Sequence, residues 1–192
     1  MRLWTIQPKK FYEKLLQEKV VFCKPELSEH IQEWNFKPAY DWLVSQMECR
    51  IGAAPAGVRY PIWAWYTLDG KNEKPDLRKT EFRYYREEQV CIELEIPDQD
   101  VLLSDEEWHV VLNDWYLAND EDFDREYEWF KALPESEQEA AKQKSWERIF
   151  QVFKEDGTSA KYIQATFWEL RLEYVKSVRF FKGRMRDKNC EI

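Results

Sequence analysis

The sequence is poor in the residues that metal and disulfide chemistry require. It has two histidines, His30 and His109, and four cysteines, Cys23, Cys49, Cys91 and Cys190. No two cysteines form a CxxC pair, and no pair of histidines stands beside them. That spacing fits neither a zinc site nor a small disulfide framework and predicts isolated thiols in a reducing compartment. His30 lies in a short polar helix and His109 at the edge of a predicted buried face, so both read as surface or boundary residues rather than catalysts. Glycine is scarce at five residues, and there is no GxGxxG, GxxxxGK[ST], GxSxG or HExxH. The common phosphate-cradling loops, the nucleophile elbow and the zincin helix are thereby excluded. No stretch approaches the ~20 apolar residues of a membrane helix. Pro8, Lys9 and Lys10 interrupt any signal-peptide core. The expectation is a cytoplasmic protein with no membrane partner and no metal.

Aromatic and acidic residues, by contrast, are abundant. Ten tryptophans stand among 192 residues, a length that suits one domain spanning 1–192. The formal net charge is −8, unevenly spread. Residues 93–139 hold seventeen Asp and Glu against only Arg125 and Lys131, whereas Lys176, Arg179, Lys182, Arg184, Arg186 and Lys188 face only Asp187. Such asymmetry reads either as solvated helix faces with a frayed basic tail, or as surfaces that orient a partner. The overall acidity argues against a nucleic-acid ligand, although the basic tail keeps one open.

The hydrophobic pattern places the elements. Residues 2–6 predict a short strand, Pro8 the first turn of a helix with Phe11, Leu15 and Leu16 on one face, and Val20 to Phe22 an extended piece. Ser28 caps a short helix through Ile31 and Trp34. Tyr40, Leu43, Val44 and Met47 form a helical stripe that Gly52 ends. Tyr60 to Tyr66 reads as an aromatic strand. Val90, Ile92, Leu94 and Ile96 alternate with Cys91, Glu93 and Glu95 in strict period two. Ser104 and Glu107 read as a capping box opening a helix with Trp108, Val111, Leu112 and Trp115 buried. Residues 118–150 form an acidic helical segment, two helices broken near Pro134. Asp156-Gly157 is a turn, Tyr162 to Leu170 a strand, Leu172 to Val175 a turn and Lys176 to Lys182 the last strand. Without a regular βαβ rhythm, the fold class is α+β with a mixed or mainly antiparallel sheet and flanking helices.

Two groupings could carry chemistry. Glu93 and Glu95 share one strand face. They either face water or, lining a cleft, repel each other and raise one pKa. Strand parity separates Tyr60 and Tyr66 from Trp63 and Trp65. One set belongs to the core and the other could stack a planar ring such as nicotinamide, adenine or a base.

Three stretches carry a family likeness: Leu3-Trp4-Thr5-Ile6-Gln7, Tyr60-Pro61-Ile62-Trp63-Ala64-Trp65-Tyr66 and Gln164-Ala165-Thr166-Phe167-Trp168-Glu169. With these the whole chain resembles a bacterial and phage family described only as a domain of unknown function, which implies no activity. A second likeness is to the ADP-ribosyltransferases. In that family a first strand bearing His or Arg leads through a helix to a second short strand. A late strand carries Gln-x-Glu or Glu-x-Glu, and a turn then leads to a closing strand. The resemblance implies NAD as substrate, with Gln164 and Glu169 as catalytic residues and Arg2, Trp4, Thr5, Tyr60, Trp63 and Trp65 around the nucleotide. Two departures stand in this sequence. Arg2 is early for the arginine variant, and Thr166 occupies the position of the glutamate that stabilises the oxocarbenium-like ribose. Glu169 is five residues from Gln164, a parity that sends it to the other face of a regular strand. The functional expectation is an ADP-ribosyltransferase-like protein that binds NAD or a nucleotide, active with a displaced glutamate or degenerate. The alternative is a non-catalytic interaction module using the acidic helical region. Trp4, Trp63, Trp65 and Trp168, the strand tryptophans, are where function is to be sought.

Overall fold

The computed structural model describes residues 1–23, 36–85, 87–119, 122–154 and 157–183. The cap at Ser28, His30, the short helix through Trp34, Asp156 of the predicted turn, and the tail beyond Gly183 with Cys190 lie outside the described residues.

Strand β1 (Arg2–Pro8) runs into helix α1 (Lys9–Glu18), and β2 (Val20–Phe22) follows. Helix α2 (Lys37–Ile51) leads to β3 (Ile62–Thr67), β4 (Glu88–Glu95) and β5 (Leu102–Asp105). Helices α3 (Trp108–Leu112), α4 (Phe123–Ala132) and α5 (Glu135–Trp146) precede β6 (Ile163–Phe167), β7 (Glu169–Arg171) and β8 (Val175–Lys182). Six strands form one sheet in the order β5-β6-β3-β1-β4-β8, and β2 pairs with β7 in a second, two-stranded one. All the pairings are antiparallel. The protein is an α+β fold.

The period-two pattern of β4 assigns its two faces, but the strand is not half-buried, for Gln89 and Cys91 are covered as well. Val90, Ile92 and Leu94 are fully buried and meet Leu3 of β1 and Leu15 of α1 in one core, which Ile62, Ala64, Phe167 and Leu170 complete. The opposite face of the sheet carries a second core. There Trp63, Leu102 and Trp168 meet Trp42, Leu43 and Met47 of α2, Trp108 and Val111 of α3, and Trp146 of α5. Edge-on ring contacts at 5.6 Å between Tyr40 and Trp108, and at 5.3 Å between Trp42 and Trp146, knit this layer. A segment from Asn72 to Tyr85 covers the β4–β8 part of the same face. Asn72 Nδ2 donates to the carbonyls of Arg2 (3.1 Å) and Tyr66 (2.5 Å), Arg179 donates to the Pro75 carbonyl (2.9 Å), and Phe82 and Tyr85 pack on Phe181.

Local chemistry overrides several expectations. Pro8 ends β1 and caps α1 rather than starting the helix. Tyr60 lies outside β3, buried beside α2, where its hydroxyl donates to Asp41 at 2.9 Å. Ser104 is a β5 residue and not a helix cap. Asp105 Oδ1 instead accepts the Glu107 amide at 3.0 Å, an Asx turn that delays α3 until Trp108. Trp115 is not in the buried face, for Asp114 adopts φ 58° and turns the chain outward after α3. The expected strand from Tyr162 to Leu170 breaks at Trp168 into β6 and β7, which belong to different sheets.

Candidate functional site

Strand register brings together residues that are far apart in the chain. Directly opposed residues on antiparallel strands share a face. Ser177 is opposite Glu93, Glu93 opposite Trp4, Trp4 opposite Trp65, Trp65 opposite Gln164 and Gln164 opposite Ser104. One row of side chains therefore crosses all six strands on the face that carries α2, α3 and α5. Its middle coincides with a seam. Strand β1 registers with β4 at seven positions, from Arg2 to Pro8, but with β3 at Trp4↔Trp65. The halves β5-β6-β3 and β1-β4-β8 thus meet at that pair. Just beyond it Thr5 Oγ1 donates to the Trp63 carbonyl at 2.7 Å and so ties β1 to β3 through a side chain.

Burial varies along the row, from the exposed Ser177 at one end to the buried Ser104 at the other. Trp4 and Ser104 are each 1% exposed, whereas Trp65, Gln164 and Glu93 are half-buried. The two deepest members are also polar groups without a partner among the described residues: Trp4 Nε1 and Ser104 Oγ form no hydrogen bond. Trp63 Nε1 forms no full hydrogen bond either, although the Tyr40 hydroxyl lies close enough to feel it. Buried donors and hydroxyls are ordinarily satisfied, and leaving one unmet costs about 1–3 kcal/mol. At the other end of the row Glu93 accepts from Arg2 Nε (2.7 Å) and Ser177 Oγ (2.8 Å). Burial alone would raise its pKa, but these two donors outweigh it and hold the carboxylate below its usual range. The Arg2 guanidinium also lies over the Trp4 ring, 5.0 Å from its centroid.

Of the eight residues singled out by sequence, Arg2, Trp4, Trp65 and Gln164 share this face around the seam. Trp63 lies on the same face one row away, its ring 5.2 Å from Trp108 under the helical layer. Thr5 points to the opposite face and Tyr60 is spent on Asp41. Glu169 is in the second sheet, opposite Phe22, with its carboxylate on Arg171. Thr166 is opposite Trp63 and buried, its hydroxyl donated to the Leu102 carbonyl at 3.3 Å. Sequence reasoning missed Ser104 and the role of Glu93. Register across five neighbouring strands, β4-β1-β3-β6-β5, placed them, and no local pattern encodes that. Among the described residues no group of His, Cys, Asp and Glu could hold a metal ion, and no helix is long and apolar enough to cross a membrane.

The molecule is thus an antiparallel α+β domain whose sheet parts at a tryptophan-lined seam with unmet polar groups in its floor. It belongs to the family described as domain of unknown function DUF3841, which matches residues 2–176. No curated protein and no solved structure matches the chain.

Proposed function

We propose that the seam binds NAD or a nucleotide part of it, and that the chain is an ADP-ribosyltransferase-like binding protein rather than a working transferase. The observation that carries this reading is the register Trp4↔Trp65↔Gln164 with the unpartnered Trp4 Nε1 and Ser104 Oγ alongside. The half-buried Trp65 indole offers a face for a planar base. The Gln164 carboxamide supplies both a donor and an acceptor for its polar edge, and Ser104 and Trp4 gain the partners they lack. Arg2 engages Glu93 through Nε, which leaves its terminal nitrogens to meet a phosphate. The reading also draws on the order of elements, with β1, α1 and β2 at the start and Gln164 on β6 before the 3₁₀ turn at Leu172–Tyr174 and the last strand β8, although β7 of the second sheet intervenes.

Transfer needs a carboxylate beside the ribose, and neither the glutamate that the resemblance names nor the one in the row stands beside Gln164. Glu169 is in the other sheet, Thr166 is covered, and Glu93 is three strands from Gln164, roughly 14 Å at the usual strand spacing. Calorimetric titration with NAD and with AMP, beside incubation with radiolabelled NAD and a cell extract, tests both halves. The expected result is saturable binding, weakened about tenfold or more by Trp65→Ala and by Gln164→Ala, with no label transferred. Absence of binding at millimolar NAD and AMP refutes the site, and label transfer refutes the non-catalytic assignment.

A further inference from the structure

The acidic helical region holds a second concavity, remote in sequence from the seam. A cavity of about 330 Å³ lies between α4, α5 and the residues that follow α3. Four aromatic side chains line it: Trp115, Tyr116, Tyr127 and Phe130. Tyr116 and Phe130 stack at 4.4 Å and form a fixed wall. Trp115 is unlike them. Its indole is 58% exposed, yet its backbone is pinned: the amide donates to Val110, and the carbonyl accepts the Trp146 Nε1–H at 2.6 Å. A tryptophan held rigidly in water forgoes a large burial gain that a partner would recover.

The charged lining is mainly acidic. Asp114, Glu135 and Glu139 face Lys142 alone. The Lys142 ammonium is already neutralised, 2.7 Å from Asp114 and 2.8 Å from Glu139. Glu135 makes no ion pair among the described residues. Beyond the rim the surface stays acidic and aromatic. Asp124 and Glu128 are exposed on α4 together with Phe123 and Trp129. Aromatic walls with surplus carboxylate suit an organic cation, attracted both by charge and by the ring faces. The protein demonstrates the preference with its own side chain, for the Lys131 ammonium stands 5.0 Å from the Tyr127 ring centroid.

We infer that this cavity receives the ammonium side chain of a lysine in a basic segment of a protein partner, with Trp115 as its anchor. A peptide segment fits better than a free amine, because exposed carboxylates continue past the cavity, Asp124 and Glu128 on α4 and Glu137 on α5. Neighbouring basic side chains thereby find partners outside it, as complementary interfaces require.

The test uses the full chain and a fluorescein-labelled peptide of alternating lysine and serine, read by anisotropy. Its controls are the same peptide with every lysine Nε-acetylated, and n-butylammonium as competitor. The expected result is binding that weakens about tenfold in Trp115→Ala and severalfold in Glu135→Gln, is lost on acetylation, and falls steeply as salt rises. Trp115 is exposed, so Trp115→Ala should melt with the wild type, which separates lost binding from lost folding. Absence of binding overturns the inference. So does an unchanged affinity in Trp115→Ala, equal binding of the acetylated peptide, or n-butylammonium competing as well per ammonium as the peptide does.

Discussion

Single residues in this protein show how burial and pairing decide ionisation. Asp105 ends β5 half-buried, and burial pushes its carboxyl up to about 7, which the Glu107 amide at its Oδ1 offsets only in part. An acid whose folded pKa lies above its unfolded value near 4 favours the native state while both forms are protonated, and opposes it as pH rises from about 4 through 7. Asp105→Asn keeps an acceptor for the Glu107 amide and removes the titration. The difference in Tm between Asp105→Asn and wild type should therefore grow between pH 4 and pH 7. A difference flat across that window would contradict the assignment. Glu93 behaves in the opposite sense, because Arg2 and Ser177 hold it ionised. Its place beside β8 was invisible in the sequence, where Glu93 and Glu95 looked like equivalent outward residues of one strand. Only Glu93 meets those donors. Glu95 pairs instead with Lys176, and both partners are solvent-exposed.

At the scale of elements the seam depends on a few contacts that replace a backbone ladder. Thr5 Oγ1 donates to the Trp63 carbonyl and accepts from Gln7 Nε2 at 2.8 Å. Thr5→Val conserves shape and leaves both groups unmet, so it should cost about 1–3 kcal/mol in denaturant unfolding. The segment over β8 is held as closely. A side chain at Gly183 would meet the Tyr85 and Arg83 carbonyls at 2.2 and 2.5 Å. Gly183→Ala should thus displace residues 83–85 and destabilise by about 1–3 kcal/mol, a loss readable by the same unfolding curve. The elements themselves were largely legible. The alternation of β4, the stripe and Pro38 of α2, and the break at Pro134 all stand in the chain as local signals. The failures have physical causes. Ser104 followed by Glu107 mimics a capping box, but the Asp105 carboxylate takes the amide first. Trp168 interrupts what reads as a single strand because its indole N–H is drawn to the Gly52 carbonyl at 2.9 Å.

For the whole molecule, what matters is which strands become neighbours. Residues 4, 65, 93, 104, 164 and 177 form one row through pairings that bring β1 between β3 and β4 and β6 between β3 and β5. Nothing in a linear pattern announces that order, although two of the strand tryptophans, Trp4 and Trp65, fall in the row. The acidic region was legible as charge alone. That it folds into a cavity with a pinned, exposed Trp115 required α4 and α5 to be seen packed together. The central claim is that the row at the seam is a ligand site, and indole N–H signals resolve it residue by residue. In a ¹⁵N-labelled sample titrated with NAD, the Trp4 and Trp65 indole resonances, assigned by substitution, should shift together and saturate with one Kd. The Trp115 resonance should stay in place. Shifts confined to Trp115 or Trp129, or Trp4 and Trp65 signals unmoved at millimolar NAD, would contradict the account.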